Sequence, residues 1–234
     1  MSITVYWACE DESWLRAKTP ESVYKTFCKD LKNKKNDLIL CPATKDYMSN
    51  VFSLKSLFDY KFILGSDEQV NEVFADRYDQ NFFNSHVWVR SRENRLFSFF
   101  QKFVFFTEEK TLLMSGGIFP FLEDNNITKR CIVVPGTFDI GKWFRPLDFA
   151  FYLKEEYNEF KIEENDIFQY IKFHTDEKII FKQFRIDPNI KQFFIDSDSA
   201  RRFRETKLRD LKDYYSMVKH KKHLINSIKE NLLD

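Results

Sequence analysis

Leu147-Asp148-Phe149-Ala150-Phe151-Tyr152-Leu153 alternates large apolar residues with polar or smaller ones at a period of two. Leu147, Phe149, Phe151 and Leu153 point one way while Asp148, Ala150 and Tyr152 point the other, which predicts a half-buried strand. The same patterning extends through 128–186, with further strands at 129–134, 160–162, 167–173 and 178–186 between turn clusters. Upstream, 86–90, 96–106 and 111–114 also read as strands. So many short strands with intervening turns predict a sandwich or a barrel. Leu96 to Phe106 is apolar on both faces, as in a strand sandwiched between layers or buried in a subunit interface.

Outward from this section the pattern becomes mixed. Residues 3–9 read as a first strand. Thr19 is a good N-cap with Pro20 at the first helical position, and Val23, Phe27 and Leu31 share one face of the helix that follows. A short strand over 37–41 stops at Pro42, 51–54 and 60–64 form a hairpin turned at Phe58-Asp59, and 68–75 is a short helix. Asp187-Pro188 ends the β section, and Ser197-Asp198-Ser199 offers an N-cap for a long final helix carrying Leu208, Leu211, Tyr215, Val218, Ile225 and Leu232. The fold class expected is α+β: a β-rich sandwich or barrel body with N-terminal helices and a C-terminal amphipathic helical tail. Its parts are 1–80, 81–190 and 191–234, with 1–190 as one compact body.

A chain of 234 residues is long enough to bury a full core without staples. Its net charge of +1 gives no bulk attraction to nucleic acid or acidic membranes, although residues 199–234 carry a local +5. With 27 Phe and only 5 Gly, the chain favours a rigid aromatic core and is poorly supplied for glycine-rich phosphate loops. No G-x-G-x-x-G, Walker or G-x-S-x-G pattern occurs. Cys9, Cys28, Cys41 and Cys131 lack metal or redox spacing and read as buried reduced thiols. The opening residues lack a secretory pattern and no apolar run is long enough to span a bilayer, so an intracellular protein without membrane association is expected.

Several motifs carry candidate chemistry. Val134-Pro135-Gly136-Thr137-Phe138-Asp139-Ile140-Gly141, the alternating 147–153 segment, Phe160-Lys161-Ile162 and Asp166-Ile167-Phe168-Gln169-Tyr170-Ile171 follow one another in an order that resembles the dUTPase and dCTP deaminase family. There a Pro-Gly turn opens a strand, and a later hairpin leads through a Gly-Asp-like turn into an Ile-x-Gln-x-Ile-type strand of a trimer-forming β-fold. This chain departs from the family in having Asn165 before Asp166 and no Gly-rich C-terminal segment. The resemblance implies that Asp139 orients a water and that Arg90 and Arg92 meet phosphate. Turns followed by alternating strands also arise in any β-fold.

His174-Thr175-Asp176, with His220 and His223 downstream, resembles the facial triad of non-haem iron oxygenases on jelly-roll folds. That would imply Fe(II) and 2-oxoglutarate. The plainer reading makes Thr175-Asp176-Glu177 a turn between strands. Trp143 and Arg145, in Trp143-Phe144-Arg145, are either a binding platform or part of a core. Lys219, Lys221 and Lys222 form a basic run that either meets phosphates or is a solvated helix face.

Tyr6-Trp7, Cys41-Pro42-Ala43, and the Pro135–Asp139 and Trp143–Pro146 stretches together resemble uncharacterised proteins of tailed phages of marine bacteria. The expectation is therefore a non-enzymatic, phage-encoded accessory protein of the host cytoplasm, with virion association left open and no cofactor. It would act by binding a phage or host protein or by self-assembly as a homo-oligomer. Nucleic-acid binding through the basic run is not favoured. The alternatives are a dUTPase-like nucleotide-processing enzyme and an Fe(II)/2-oxoglutarate oxygenase.

Overall fold

A computed structural model of the chain describes residues 1–9, 15, 17–31, 41–63, 87–91, 94–99, 102–117, 126–202 and 220–233. Strand β1 (Ser2–Cys9) runs parallel to β14 (Lys178–Gln183) and antiparallel to β7 (Phe103–Thr107). A second sheet has the order β10 (Gly136–Asp139), β8 (Leu113–Gly117), β13 (Ile167–Phe173), β3 (Val51–Lys55) and β2 (Glu21–Ser22). A third has the order β5 (Val87–Ser91), β6 (Leu96–Phe99), β11 (Phe149–Leu153) and β9 (Cys131–Val133), and β12 (Glu159–Ile162) pairs with β4 (Tyr60–Ile63). Helices α1 (Val23–Leu31), α2 (Pro42–Met48), α3 (Asn126–Arg130), α4 (Pro188–Arg202) and α5 (Lys221–Glu230) complete the described elements. The class is α+β. Among the described residues none of the sheets closes into a barrel.

Alternation along β1 and β7 divides the apolar interior in two. Val5, Trp7 and Cys9 with Phe103 and Phe105 face the main core, where they meet Phe97, Phe151, Phe168 and Phe173 from the other sheets. Tyr6, Ala8, Val104 and Phe106 face the opposite way and are covered by Ile190 and Phe194 of α4 and by Leu224 and Ile228 of α5. All five residues of β7 are therefore buried within a single chain. A third cluster seats Val23 and Met48, from α1 and α2, on Val51 and Tyr170.

Four sequence expectations change here. Leu96 to Phe106 is not one strand: β6 and β7 belong to different sheets, and Lys102 between them takes a left-handed φ of 54° that breaks the strand geometry. The apolarity on its two faces is satisfied by the two cores, so it gives no reason for a subunit interface. The 51–64 hairpin does not form, because β3 pairs with β13 and β2 while β4 pairs with β12. Ser197-Asp198-Ser199 lies inside α4, whose start is set by Asp187: its Oδ1 accepts the Ile190 N–H at 2.7 Å, with Pro188 in the first turn.

At the N-terminal side, Ser22 rather than Thr19 precedes the first helix, its hydroxyl accepting the Lys25 N–H at 3.5 Å, and Pro42 opens a helix that the pattern missed. The chain enters β9 from α3, where a strand from 129 was expected. The expected segment 37–40, the helix over 68–75 and residues 203–219 lie outside the described residues. Cys9 and Cys131 are buried thiols as expected, whereas Cys28 and Cys41 are half-buried. Burial pushes the Cys131 thiol up to about 12, against a weaker pull from Lys154 and Arg130.

Candidate functional site

The parity that buries Phe149 and Phe151 sends Asp148 and Ala150 to the other face of β11. There, with Gly116 of β8, Gly136 of β10 and Gln169 of β13, they line a cavity of about 350 Å³. Arg90, Trp143 and Arg145 complete its polar and aromatic wall. Pairing of β5 with β6 shifts register between Val89 and Ser91, a bulge of the kind that re-aims a side chain. The Arg90 guanidinium donates through Nε to the buried Ser98 hydroxyl and through an η nitrogen to Asp148 Oδ2. This charge-assisted pair fixes one carboxylate oxygen. The other, Oδ1, is buried and meets no hydrogen-bond donor among the described residues.

Gln169 follows the parity of Ile171 and Phe173 and is only 6% exposed, so an amide sits where the strand pattern calls for an apolar side chain. It is accommodated by Gly116: a Cβ there would lie 2.6 Å from Gln169 Nε2. Trp143 is positioned by the turn after β10, its backbone N–H donating to the Asp139 carbonyl at 2.8 Å. Its ring packs on Phe138 at 5.3 Å, and the Arg145 guanidinium lies 5.3 Å from the ring centre. Such stacking holds a guanidinium flat against the ring.

The structure brings Arg90, Trp143 and Arg145 to one cavity, and the other described candidates lie elsewhere. Asp139 does not line it. Its Oδ1 accepts the N–H groups of Leu112 at 3.0 Å and Gly141 at 3.1 Å, and its Oδ2 lies 2.7 Å from Lys142 Nζ. Burial alone would raise its pKa, but Lys142 and the two N–H donors outweigh that and hold the carboxyl below its ordinary range. Asp139 is therefore a turn-building carboxylate. Arg92 and Lys219 lie outside the described residues.

Lys221 is not part of a solvated face: its Nζ donates to the Glu109 carbonyl at 2.5 Å and the Gly141 carbonyl at 2.9 Å, over the Phe106 ring. Lys222 is exposed. His174 Nε2 shares a 2.7 Å hydrogen bond with Ser115 Oγ, and Asp176 is exposed in the turn before β14. Among the described residues no three His, Cys, Asp or Glu side chains gather closely enough to hold a metal ion. Iron chemistry therefore has no donor set there.

Sequence reasoning missed Asp148, Ser98 and Gln169 as site residues. For Gln169 a signal was present, a lone amide in the apolar register of a strand; for Ser98 and Asp148 the partner is Arg90, which the β5–β6 pairing brings to Ser98 and which reaches Asp148 from 58 positions away. No protein-family model matches the chain, and no curated protein matches it. No helix among the described residues is long and apolar enough to cross a membrane.

Proposed function

We propose that this chain is a non-enzymatic binding protein whose recognition site is the cavity between Arg90, Trp143 and Gln169. The observation that supports this is the bonding of Asp139. A water-orienting carboxylate needs an oxygen directed at the reacting group, whereas both oxygens of Asp139 are engaged, Oδ1 by the Leu112 and Gly141 N–H groups and Oδ2 by Lys142. Arg90 lines the cavity and Asp139 does not. Asp139 and Arg90, the acid and one of the two cations that nucleotide hydrolysis would combine, do not share this cavity.

In this reading the chain is a phage-encoded accessory protein of the host cytoplasm, built on a sandwich-like body. Action by self-assembly has less support than binding, because α4 and α5 already cover the second face of β1 and β7. The dUTPase-like alternative keeps one supporting observation: Asn165 takes a φ of 74°, the left-handed conformation that a turn glycine would supply.

The test is to incubate the full chain with dUTP and dCTP and follow hydrolysis and deamination chromatographically. No turnover above that of Asp139→Asn is expected. Turnover by the natural chain that disappears in Asp139→Asn would overturn the binding reading, and a trimer by light scattering would add weight to the alternative.

A further inference from the structure

Two of the chain's 5 glycines stand opposite each other across β8 and β10: Gly116 pairs with Gly136, and both line the cavity. Glycine within a strand marks a place where another molecule or backbone comes close, and this pair leaves a floor of bare backbone. Gly116 also stands opposite Ile171 of β13, so Gln169, two residues along on the same face, reaches the edge of that floor. Gln169 is only 6% exposed, and its side-chain amide has no hydrogen-bond partner among the described residues. Buried amides are normally satisfied. An amide presents a donor and an acceptor side by side in one plane, and the group that matches both is another amide edge with its C=O and N–H on the same side. A neutral amide does not offset the cost of bringing a full charge out of water, so the group it meets is uncharged. The charged side chains of the wall are engaged within the protein: Arg90 with Asp148 and Ser98, and Arg145 over the Trp143 ring.

We propose that this cavity binds an uncharged ligand with a planar amide edge, a primary carboxamide or a ring lactam, its C=O and N–H paired with the Gln169 amide and its ring on the floor made by Gly116 and Gly136. The proposal rests on the binding reading above and deepens it. A volume of about 350 Å³ lies at the small end of ordinary ligand pockets and suits a single ring with its substituent. Val134, Leu147 and Ala150 supply an apolar wall beside it.

Ligand-observed NMR titration of the full chain tests this with benzamide and 2-pyridone as the two sources of an amide edge, and with N,N-dimethylbenzamide, N-methyl-2-pyridone and benzoate as controls. Saturable binding of benzamide or 2-pyridone with a Kd of about 1 mM or tighter is expected, and the tighter of the two tells carboxamide from lactam. Methylating the amide nitrogen, or replacing the amide by a carboxylate, should weaken binding about fivefold or more. Gln169→Leu should weaken it as much while the melting temperature holds or rises, because leucine suits the apolar register; a purely structural glutamine would lower it. Gly116→Ala should weaken binding by placing a Cβ 2.6 Å from the Gln169 amide nitrogen. If the Leu variant is unstable, the methylated ligands on the natural chain still decide. No saturable binding of either probe at millimolar concentration, or binding that tolerates methylation, overturns the proposal. Equal binding of benzoate overturns it too. Failure here without deoxynucleotide turnover removes the amide ligand alone and leaves the binding reading standing.

Discussion

Lys221 Nζ donates to the Gly141 carbonyl oxygen at 2.9 Å and so ties the last helix to the turn that Asp139 organises. Replacing Lys221 by Met removes the charge-assisted bonds to Gly141 and Glu109 while keeping much of the stem over Phe106. A loss of about 1.5–3 kcal/mol is expected in urea denaturation, against a change of about 0.5 kcal/mol or less for the exposed Lys222→Met. Equal effects would mean that Lys221 is not a clamp.

The second core predicts what the terminal helix hides. A chain ending at Lys219 lacks Leu224 and Ile228 and leaves part of the Tyr6, Val104 and Phe106 face bare. An apolar patch of that kind binds hydrophobic dyes and promotes association. Light scattering and dye fluorescence should both rise relative to the full chain. A truncated chain that stays dye-silent and unchanged in mass would show that α5 does not cover this face.

Gly141 and Gly117 should respond differently to a methyl group. At Gly141 a Cβ would lie 2.6 Å from the Glu109 carbonyl oxygen, a backbone atom that cannot swing away, whereas at Gly117 nothing comes within 4 Å. Gly141→Ala is expected to cost about 1–3 kcal/mol, and Gly117→Ala to be nearly neutral. Thermal melts of the two variants measure the difference.

On β11, Phe149 and Phe151 are 3% and 1% exposed while Tyr152 is 39% exposed. An unpaired charge in the core is among the most damaging substitutions, and one on a wet face is not. Phe149→Glu and Phe151→Glu should prevent folding or lower the melting temperature severely, with Tyr152→Glu mild. Equal melting temperatures for all three would place the wrong face inward.

Acid should loosen the turn after β10. The Asp139 carboxyl is held below its ordinary value of 3.8 despite burial, because Lys142 and two backbone N–H groups favour the charged form. A carboxyl with a depressed folded-state pKa contributes its stability in full above the unfolded value. That contribution is lost as pH falls through the folded-state value. Stability measured from pH 5 downward should therefore fall below about pH 4, and more shallowly in Asp139→Asn, which should also be less stable at neutral pH. Parallel pH profiles for the two proteins would remove Asp139 from the acid response.

Strands whose patterning is local were legible from neighbouring residues alone. Alternation over 147–153 located β11 and its buried face, and the apolar run at 167–173 located β13 from end to end. The sequence also identified two-sided apolarity over Leu96 to Phe106, part of which is β7, and placed Trp143 and Arg145 among binding candidates. Only the tertiary structure decided what covers that strand, because Ile190, Phe194, Leu224 and Ile228 come from helices more than 80 positions away. Strand pairing was likewise decided at long range: β3 could have turned back onto β4, but it takes β13 as its partner across more than 100 positions. The same holds for the cavity. Arg90 and Asp148 are 58 positions apart, and nothing in either local sequence announces their ion pair. Local backbone periodicity is written in neighbouring residues, whereas the satisfaction of a buried charge or an apolar face depends on which distant element arrives to provide it.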